Sequence, residues 1–190
     1  PIEQDDIVIL FNGEIYNYKE FGDYDNDTKC LIPLYKQYGP EFVKKLDGEY
    51  AIVIVDYRKN ILFITSDLFK TKPLFYSISD DGIGISTYKT PLEKIGYKNV
   101  HKANPNESLI VDLTNYTIID KFAIYEWDLH QYKTTYMDWI NAFEKSIFKR
   151  TASNREKIFI GLSSGYDSGA IACEMHNQKF VQLLHLVSKF

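Results

Sequence analysis

Short apolar runs separated by turn-forming residues fill the middle of this chain of 190 residues. Six such runs lie between residues 50 and 124, over 50–56, 61–67, 73–78, 82–86, 107–112 and 117–124. The breaks between them carry Gly, Asn, Asp and Ser, as in Ser79-Asp80-Asp81-Gly82. Runs of this length joined by such turns predict antiparallel strands. A further strand is predicted over 7–11, and a helix over 28–38, capped by Asp27 and weakened by Pro33.

The pattern changes near residue 127. Trp139, Ile140, Phe143 and Ile147 recur at helical spacing, which predicts a helix with these residues facing a core. Segments 157–162, 168–177 and 180–187 then favour strand, helix and strand, the start of a parallel sheet. We therefore expect two domains, over 1–126 and 134–190. Because a parallel sheet needs more strands than these, we expect the chain to be part of a longer protein.

Composition excludes several classes of function. The net charge of −4 comes without a basic stripe, so no nucleic-acid partner is expected. The longest apolar runs, 7–11 and 51–55, are too short to span a membrane. Two cysteines far apart in sequence, Cys30 and Cys173, favour a reduced, cytoplasmic protein. The four histidines show no metal-ligand spacing, and no side chain is assigned as a metal ligand.

A small-residue loop follows the apolar run that ends at Leu162. Its sequence is Ser163-Ser164-Gly165-Tyr166-Asp167-Ser168. Small residues between a strand and a helix leave backbone N–H groups accessible to a phosphate. The loop resembles the pyrophosphate loop of ATP pyrophosphatases, usually Ser-Gly-Gly-x-Asp-Ser. A Ser/Gly turn with Asp167 or Ser168 as an ordinary helix cap remains the alternative.

A second segment, Asn12-Gly13-Glu14, follows the first predicted strand. Asn12 offers a side-chain amide and Gly13 an unhindered backbone N–H, and two adjacent donors are suited to an oxyanion. Glu14 adds a carboxylate suited to an ammonium group. The alternative is a plain Asn-Gly turn, which is a common turn dipeptide.

Together these segments resemble the glutamine-hydrolysing asparagine synthetase family. Three more motifs occur in the family's order: Asp27-Thr28, Leu46-Asp47-Gly48-Glu49-Tyr50-Ala51, and the stretch from Ser66-Asp67 to Lys72-Pro73-Leu74. The resemblance implies a class-II glutamine amidotransferase domain of the α+β N-terminal-nucleophile (Ntn) fold, with antiparallel sheets. It also implies that an α/β adenine-nucleotide-hydrolase-like domain with a parallel sheet begins after it.

The resemblance also implies an activity. Members of the family convert aspartate, glutamine and ATP to asparagine, glutamate, AMP and pyrophosphate, with Mg²⁺ accompanying the ATP. Glutamine, ATP and a carboxylic acid such as aspartate are therefore the expected small-molecule partners, and a homodimer is the expected assembly.

The family's roles carry over to matching positions. Asn12 and Gly13 would form the oxyanion hole, while Glu14 and Asp27 would hold the α-amino group of glutamine. The positions implied for ATP are Leu162, Ser163, Ser164, Gly165, Asp167, Ser168 and Val187. Within that set Leu162 and Val187 would flank adenine, and Asp167 would lie near pyrophosphate and Mg²⁺.

Several positions depart from the family's pattern. Its nucleophile is an N-terminal Cys, whereas residue 1 here is Pro, and neither Cys30 nor Cys173 is expected to replace it. Lys29 stands where the family has Glu, and Ser164 where it has Gly. Two alternatives therefore remain open: a relative that adenylates a carboxylate and closes a ring, of the β-lactam synthetase or lasso-peptide cyclase type, or a non-catalytic homologue.

Overall fold

The computed structural model describes residues 1–80, 82–152 and 158–179. The chain divides into two compact units, Pro1–Asp128 and Leu129–Phe190.

Strands dominate the first unit, and all of their pairings within the described residues are antiparallel. The strands are β1 (Ile2–Gln4), β2 (Ile7–Ile15), β3 (Gly48–Asp56), β4 (Ile61–Ser66), β5 (Phe75–Ser79), β6 (Gly82–Ser86), β7 (His101–Lys102), β8 (Glu107–Asp112) and β9 (Thr117–Ala123). They form a six-stranded sheet in the order β1-β2-β3-β4-β8-β9 and a three-stranded sheet in the order β6-β5-β7.

The antiparallel architecture predicted from the turn pattern is confirmed. Each of the six strands predicted between residues 50 and 124 forms within two residues of its expected bounds. The sequence did not predict β1 and β7, because two or three residues carry no readable alternation.

Helical segments of the first unit are short. They are the 3-10 turns Tyr18–Phe21, Asp27–Cys30 and Gly39–Lys45, and the α-helices α1 (Leu31–Tyr38) and α2 (Lys89–Lys94). The helix predicted over 28–38 therefore divides into a 3-10 turn and α1. Pro33 is the third residue of α1, where a helix has no intrahelical partner for the backbone N–H, so the proline is accommodated there.

Each face of the six-stranded sheet has its own core. On one face, odd-numbered residues of β2 and even-numbered residues of β3 pack with α1 and the turn Gly39–Lys45, burying among others Ile9, Ile52 and Phe42. On the opposite face, Val53 and Ile64 pack with residues such as Leu74, Ile83 and Ile85, from the three-stranded sheet and the segment that leads to it. The small sheet therefore covers the face of β2 and β3 that carries Asn12.

A buried carboxylate secures the far end of β3. Asp56 is fully buried and accepts hydrogen bonds from Arg58 Nε at 2.9 Å, Arg58 Nη2 at 2.8 Å and the Tyr35 hydroxyl at 3.2 Å. The hydrogen bonds from the Arg58 guanidinium hold the pKa of Asp56 below its usual value, against the opposing effect of burial. The ionised carboxylate therefore stabilises the folded unit.

We expect the free energy of unfolding to depend less on pH in Asp56→Asn than in the wild type. Since the folded-state pKa is depressed, the contribution of Asp56 is present above the unfolded pKa of about 4 and is lost as pH falls through the folded value. Urea denaturation between about pH 2 and 6 should show a steeper loss of unfolding free energy in the wild type than in Asp56→Asn. Replacement of the exposed Asp23 by Asn is the control; parallel profiles for the wild type and Asp56→Asn would contradict the prediction.

The second unit contains α3 (Met137–Ala152) and α4 (Tyr166–Asn177). Ile147 is buried as predicted, but Trp139 is 65% exposed and Ile140 is 36% exposed, so the prediction that this stripe faces a core is wrong at those positions. Among the described residues of this unit, α4 is the one other helix available to cover α3. None of the described helices is long and apolar enough to span a membrane.

The first of the two parallel strands predicted for the second unit does not form among the described residues. Residues 158–162, the described part of the strand predicted over 157–162, are irregular. A strand forms only where a neighbour pairs with its backbone groups, and no described residue of this unit provides that neighbour. The other predicted strand, 180–187, lies outside the described residues and includes Val187.

Candidate functional site

Asn12, Gly13 and Glu14 lie inside β2. Strand β2 continues to Ile15, and the three residues pair with Ala51, Tyr50 and Glu49 of β3. The predictions that the strand ends before this segment, or that Asn-Gly forms a turn, are both wrong. Pairing with β3 along the whole segment overrides the turn preference of the dipeptide.

Gly13 is where β2 and β3 approach too closely for a side chain. Its φ is +154°, and a Cβ added there would lie 2.1 Å from the Glu49 carbonyl oxygen and 2.7 Å from Tyr50 Cα. Both contacts are with backbone atoms, which cannot turn aside as the end of a flexible side chain does. Glycine is therefore required by the packing of the two backbones.

The ladder also sets the direction of the Gly13 N–H. Tyr16 N–H donates to the Asp47 carbonyl at 2.7 Å, so even-numbered residues of β2 direct their backbone groups toward β3. Gly13, an odd-numbered residue, therefore directs its N–H to the opposite side. There β1 pairs only with 7–9, which leaves Gly13 beyond the end of β1 on the open edge of the sheet.

Asp27 lies on the same edge. Its Oδ2 accepts the Ile15 N–H at 3.0 Å, two residues beyond Gly13. The prediction that Asp27 caps a helix is wrong, since the cap residue of its 3-10 turn is Asn26 and no side-chain cap bond forms. A contact twelve residues distant in sequence thus brings this carboxylate beside Gly13 and Glu14.

The Asn12 side chain lies on the face that the small sheet covers. It is exposed and lines a cavity of about 230 Å³ between β2, β3 and the small-sheet side. The opposite wall includes Pro73, Leu74, Ser86 and Thr87. The Asn12 amide and the Gly13 N–H are thus adjacent donors, one beside a cavity and the other on the sheet edge next to it.

The carboxylates around this edge create a negative field. Glu14 is exposed on the same face as Asn12 and pairs directly across from Glu49. Like charges facing each other across strands are unfavourable, and a bound cation relieves that repulsion. Lys29, the charge reversal noted in the sequence, forms an exposed ion pair with Asp25 at 2.5 Å. Its charge is therefore matched by a residue other than Asp27.

Asn17 is a positioning residue that the sequence did not reveal. It is 7% exposed, its Nδ2 donates to the Lys45 carbonyl at 3.0 Å, and its Oδ1 accepts the Asp47 N–H at 2.9 Å. These bonds hold the end of β2 against the start of β3 and so fix the register that places Gly13 opposite Tyr50. A polar residue after an apolar strand resembles any loop residue, so no local signal marks it.

Cys30 does not have the environment of a nucleophile. Cys30 is fully buried, and burial, followed by the charge of Asp27, raises the pKa of its thiol to about 12. A thiol in that environment stays protonated and unreactive. Cys173 is exposed on α4, in the second unit.

The small-residue loop of the second unit is exposed and held by its serines. Ser163 Oγ lies 3.0 Å from Ser168 Oγ and accepts the Gly165 N–H at 3.2 Å. Gly165 is the N-cap of α4, so the prediction that Asp167 or Ser168 caps this helix is wrong. Ser164 is not among the described residues with positive φ, so the loop does not need glycine there. Leu162 is 46% exposed, and Asp167 lies in the first turn of α4.

Comparison with known families identifies the first unit. Residues 1–126 match the family described as the glutamine amidotransferase domain. The chain belongs to this family. The matched residues include β1 to β9, and with them the β2 edge that carries Asn12, Gly13 and Glu14.

Two curated relatives of this chain carry the same name. A putative glutamine-hydrolysing asparagine synthetase 1 of Methanocaldococcus jannaschii is 31% identical over 90% of this chain and 36% of its own length. Putative asparagine synthetase 2 of the same organism is 28% identical over 98% of this chain and 44% of its own length. The chain therefore spans less than half the length of these relatives.

Solved structures share the fold at low identity. The glutamine phosphoribosylpyrophosphate amidotransferase of B. subtilis matches 90% of this chain and 44% of its own, with a TM-score of 0.53 and 15% identity. A structure described as the allosteric regulatory enzyme of purine biosynthesis matches 88% of this chain, also with a TM-score of 0.53. The first unit therefore has the Ntn amidotransferase fold with antiparallel sheets.

We expect Gly13→Ala to destabilise the first unit far more than Gly39→Ala. Both glycines have positive φ, but a Cβ on Gly39 would meet nothing within 4 Å. Gly39→Ala should therefore cost only the backbone strain of about 1 kcal/mol, while Gly13→Ala adds a clash between strands and should cost about 3 kcal/mol or more. Chemical denaturation followed by circular dichroism measures both, and equal losses would contradict the close approach at Gly13.

Proposed function

We propose that the first unit hydrolyses glutamine to glutamate and ammonia. The observation that carries the proposal is the β2 edge, where the Asn12 amide and the Gly13 N–H are neighbouring donors and Asp27 is held beside them. The family match and the names of the relatives support glutamine as the substrate.

Each residue then has a defined role. When a nucleophile adds to the side-chain carbonyl of glutamine, the oxygen gains negative charge, which Asn12 Nδ2 and Gly13 N–H stabilise. Glu14 and Asp27 hold the α-ammonium group through their negative charge. Ammonia leaves as the tetrahedral intermediate collapses, and water then releases glutamate.

The nucleophile in this proposal is an N-terminal cysteine of the full-length protein, which the family resemblance implies and which is not one of the 190 residues of this chain. Cys30 cannot serve, since it is buried and its thiol pKa is raised. An affinity label such as 6-diazo-5-oxonorleucine, followed by peptide mass spectrometry of the full-length protein, identifies the labelled residue. Labelling of Cys30 would refute this assignment.

We further propose that the ammonia serves an ATP-dependent amide ligase, with aspartate as the acid that is adenylated. Supporting observations are the names of the relatives and the exposed loop from Ser163 to Ser168 at the start of α4. Bound ATP would supply adenylation of the carboxylate. Ser163, Ser164, Gly165 and Ser168 would hold its phosphates with backbone N–H and hydroxyl donors, as helix starts do.

The donor set fits ATP with Mg²⁺ held largely by phosphate oxygens. Among the described residues, no group of three or more His, Cys, Asp or Glu side chains is arranged to hold a metal ion. Mg²⁺ commonly takes one or two carboxylates together with substrate phosphates and water. Asp167 would be such a carboxylate.

The two domains of this proposal occupy residues 1–126 and 134–190.

Two departures from the family's pattern, Lys29 and Ser164, favoured a non-catalytic homologue, and their surroundings weaken that argument. Lys29 pairs with Asp25, and Ser164 does not need the backbone conformation of glycine. The retained donors Asn12 and Gly13 favour glutamine hydrolysis over the ring-closing chemistry, which generates no oxyanion from glutamine. The amidotransferase reading therefore stands as the proposal.

We expect Asn12→Ala to lower glutamate release by the full-length protein by roughly a hundredfold or more, the usual cost of one oxyanion donor. Coupled-enzyme detection of glutamate measures the rate. The control is Asn115→Ala, an exposed turn residue between β8 and β9, which should leave the rate unchanged. A loss below about threefold would remove Asn12 from the oxyanion hole.

We expect Asp167→Ala to abolish pyrophosphate formation from ATP while glutamate release continues. The two reactions use residues of separate units. A defect in Mg²⁺ binding should therefore affect pyrophosphate formation and not glutamate release. Pyrophosphate and glutamate are measured on the same preparation. Loss of both activities together would indicate misfolding, and retained pyrophosphate formation would refute the role of Asp167.

A further inference from the structure

Asp67 is a buried carboxylate without a cationic partner among the described residues. It is 2% exposed and accepts hydrogen bonds from the Tyr50 N–H at 3.0 Å, the Phe69 N–H at 2.9 Å, and both the N–H and the hydroxyl of Thr71, at 2.9 and 3.0 Å. Burying an ionised group is costly unless its hydrogen bonds are complete. Four neutral donors meet that requirement here, and they come from two different segments of the chain.

The first segment is β3 at Tyr50. Asp67 Oδ2 accepts the Tyr50 N–H, and the Asp67 N–H donates to the Tyr50 carbonyl at 2.9 Å. Both backbone groups of Tyr50 are therefore fixed by Asp67. Tyr50 is the residue opposite Gly13, and no side chain separates their backbones. A shift of Tyr50 therefore moves Gly13 and its N–H.

The second segment is the turn from Phe69 to Thr71. Within it Lys70 has a φ of +51°, an unfavourable conformation for a residue with a Cβ. The bonds from Phe69 and Thr71 to Asp67 hold the turn in this shape. Two residues later the chain reaches Pro73 and Leu74, which line the cavity across from Asn12.

We propose that Asp67 is a positioning residue that fixes two sides of the proposed glutamine pocket, which comprises the cavity beside Asn12 and the neighbouring Gly13 N–H. Through Tyr50 it sets the position of the Gly13 oxyanion donor, and through Thr71 it sets the wall formed by Pro73 and Leu74. The inference rests on the proposed glutamine site. It goes beyond that site by assigning its geometry to a residue that does not contact substrate.

The test is Asp67→Asn in the full-length protein, with Asp56→Asn as the matched control. Asp56 is equally buried and accepts as many bonds, but it lies at the other end of β3 and contacts no residue of the pocket. In Asp67→Asn the new amide hydrogens face the existing donors. We expect kcat/KM for glutamate release to fall about tenfold or more, as for a misplaced donor, and to stay within about threefold in Asp56→Asn.

Thr71→Val distinguishes the effect of Asp67 on the cavity wall formed by Pro73 and Leu74 from its effect on Gly13. It removes the hydroxyl bond to Asp67 and leaves the bond to Tyr50 intact. We expect KM for glutamine to rise while kcat stays within about threefold of the wild-type value, because only the cavity wall is loosened.

If Asp67→Asn and Asp56→Asn lose activity in proportion to their loss of melting temperature, Asp67 is merely structural and the proposal fails.

A second readout keeps this inference distinct from the proposed function. If the wild-type protein releases no glutamate, the proposed function fails, and the amide resonances of ¹⁵N-labelled Gly and Asn still report the geometry. The Gly13 backbone amide and the Asn12 side-chain amide should shift more in Asp67→Asn than in Asp56→Asn. Equal or smaller shifts in Asp67→Asn would overturn the positioning role.

Discussion

The contact between the backbones of β2 and β3 is the constraint on which the rest of the first unit depends. Glycine stands on each side of it: a Cβ on Gly13 would meet the Glu49 carbonyl at 2.1 Å, and one on Gly48 would meet the Glu14 carbonyl at 2.4 Å. A slip of one residue would turn Asn12 and Glu14 toward the apolar core beneath α1. The pairing therefore sets both which residues form the core and which form the site.

Two buried polar residues, Asn17 and Asp67, and the half-buried Asp27 maintain this register from three directions. Asn17 joins the end of β2 to the start of β3, Asp27 accepts the Ile15 N–H at the sheet edge, and Asp67, directly after β4, holds Tyr50. Each bond joins segments that are distant in sequence. Fully satisfied polar groups of this kind specify one arrangement of an apolar core that would otherwise tolerate several.

The sequence predicted the strands well because their signal is local. Short apolar runs bounded by Gly, Asn and Asp depend little on the rest of the chain, and the strands over 82–86 and 107–112 form at their expected bounds. The segment at Asn12 was misjudged because its signal conflicts with its context. Asn-Gly favours a turn in isolation, while pairing with β3 keeps it extended.

Contacts between distant residues account for the other differences. Asp27 resembles a helix cap in the sequence, and only the fold shows that its carboxylate bonds to β2. Asn17 has no local signal at all. In the second unit the helical spacing of α3 was correct, but spacing does not state what covers a helix face, and Trp139 is exposed.

The position of the candidate site at a sheet edge meets what the proposed oxyanion donor would require. A donor buried inside a ladder would be occupied by another strand, and a donor on a free loop would not be held in place. Gly13 escapes both conditions, because β3 fixes its backbone on one side while its N–H faces the edge beyond β1. Preorganised donors need no reorientation as charge develops, which is the source of their catalytic effect. The close packing with β3 therefore holds the Gly13 N–H in place, and the end of β1 leaves it available.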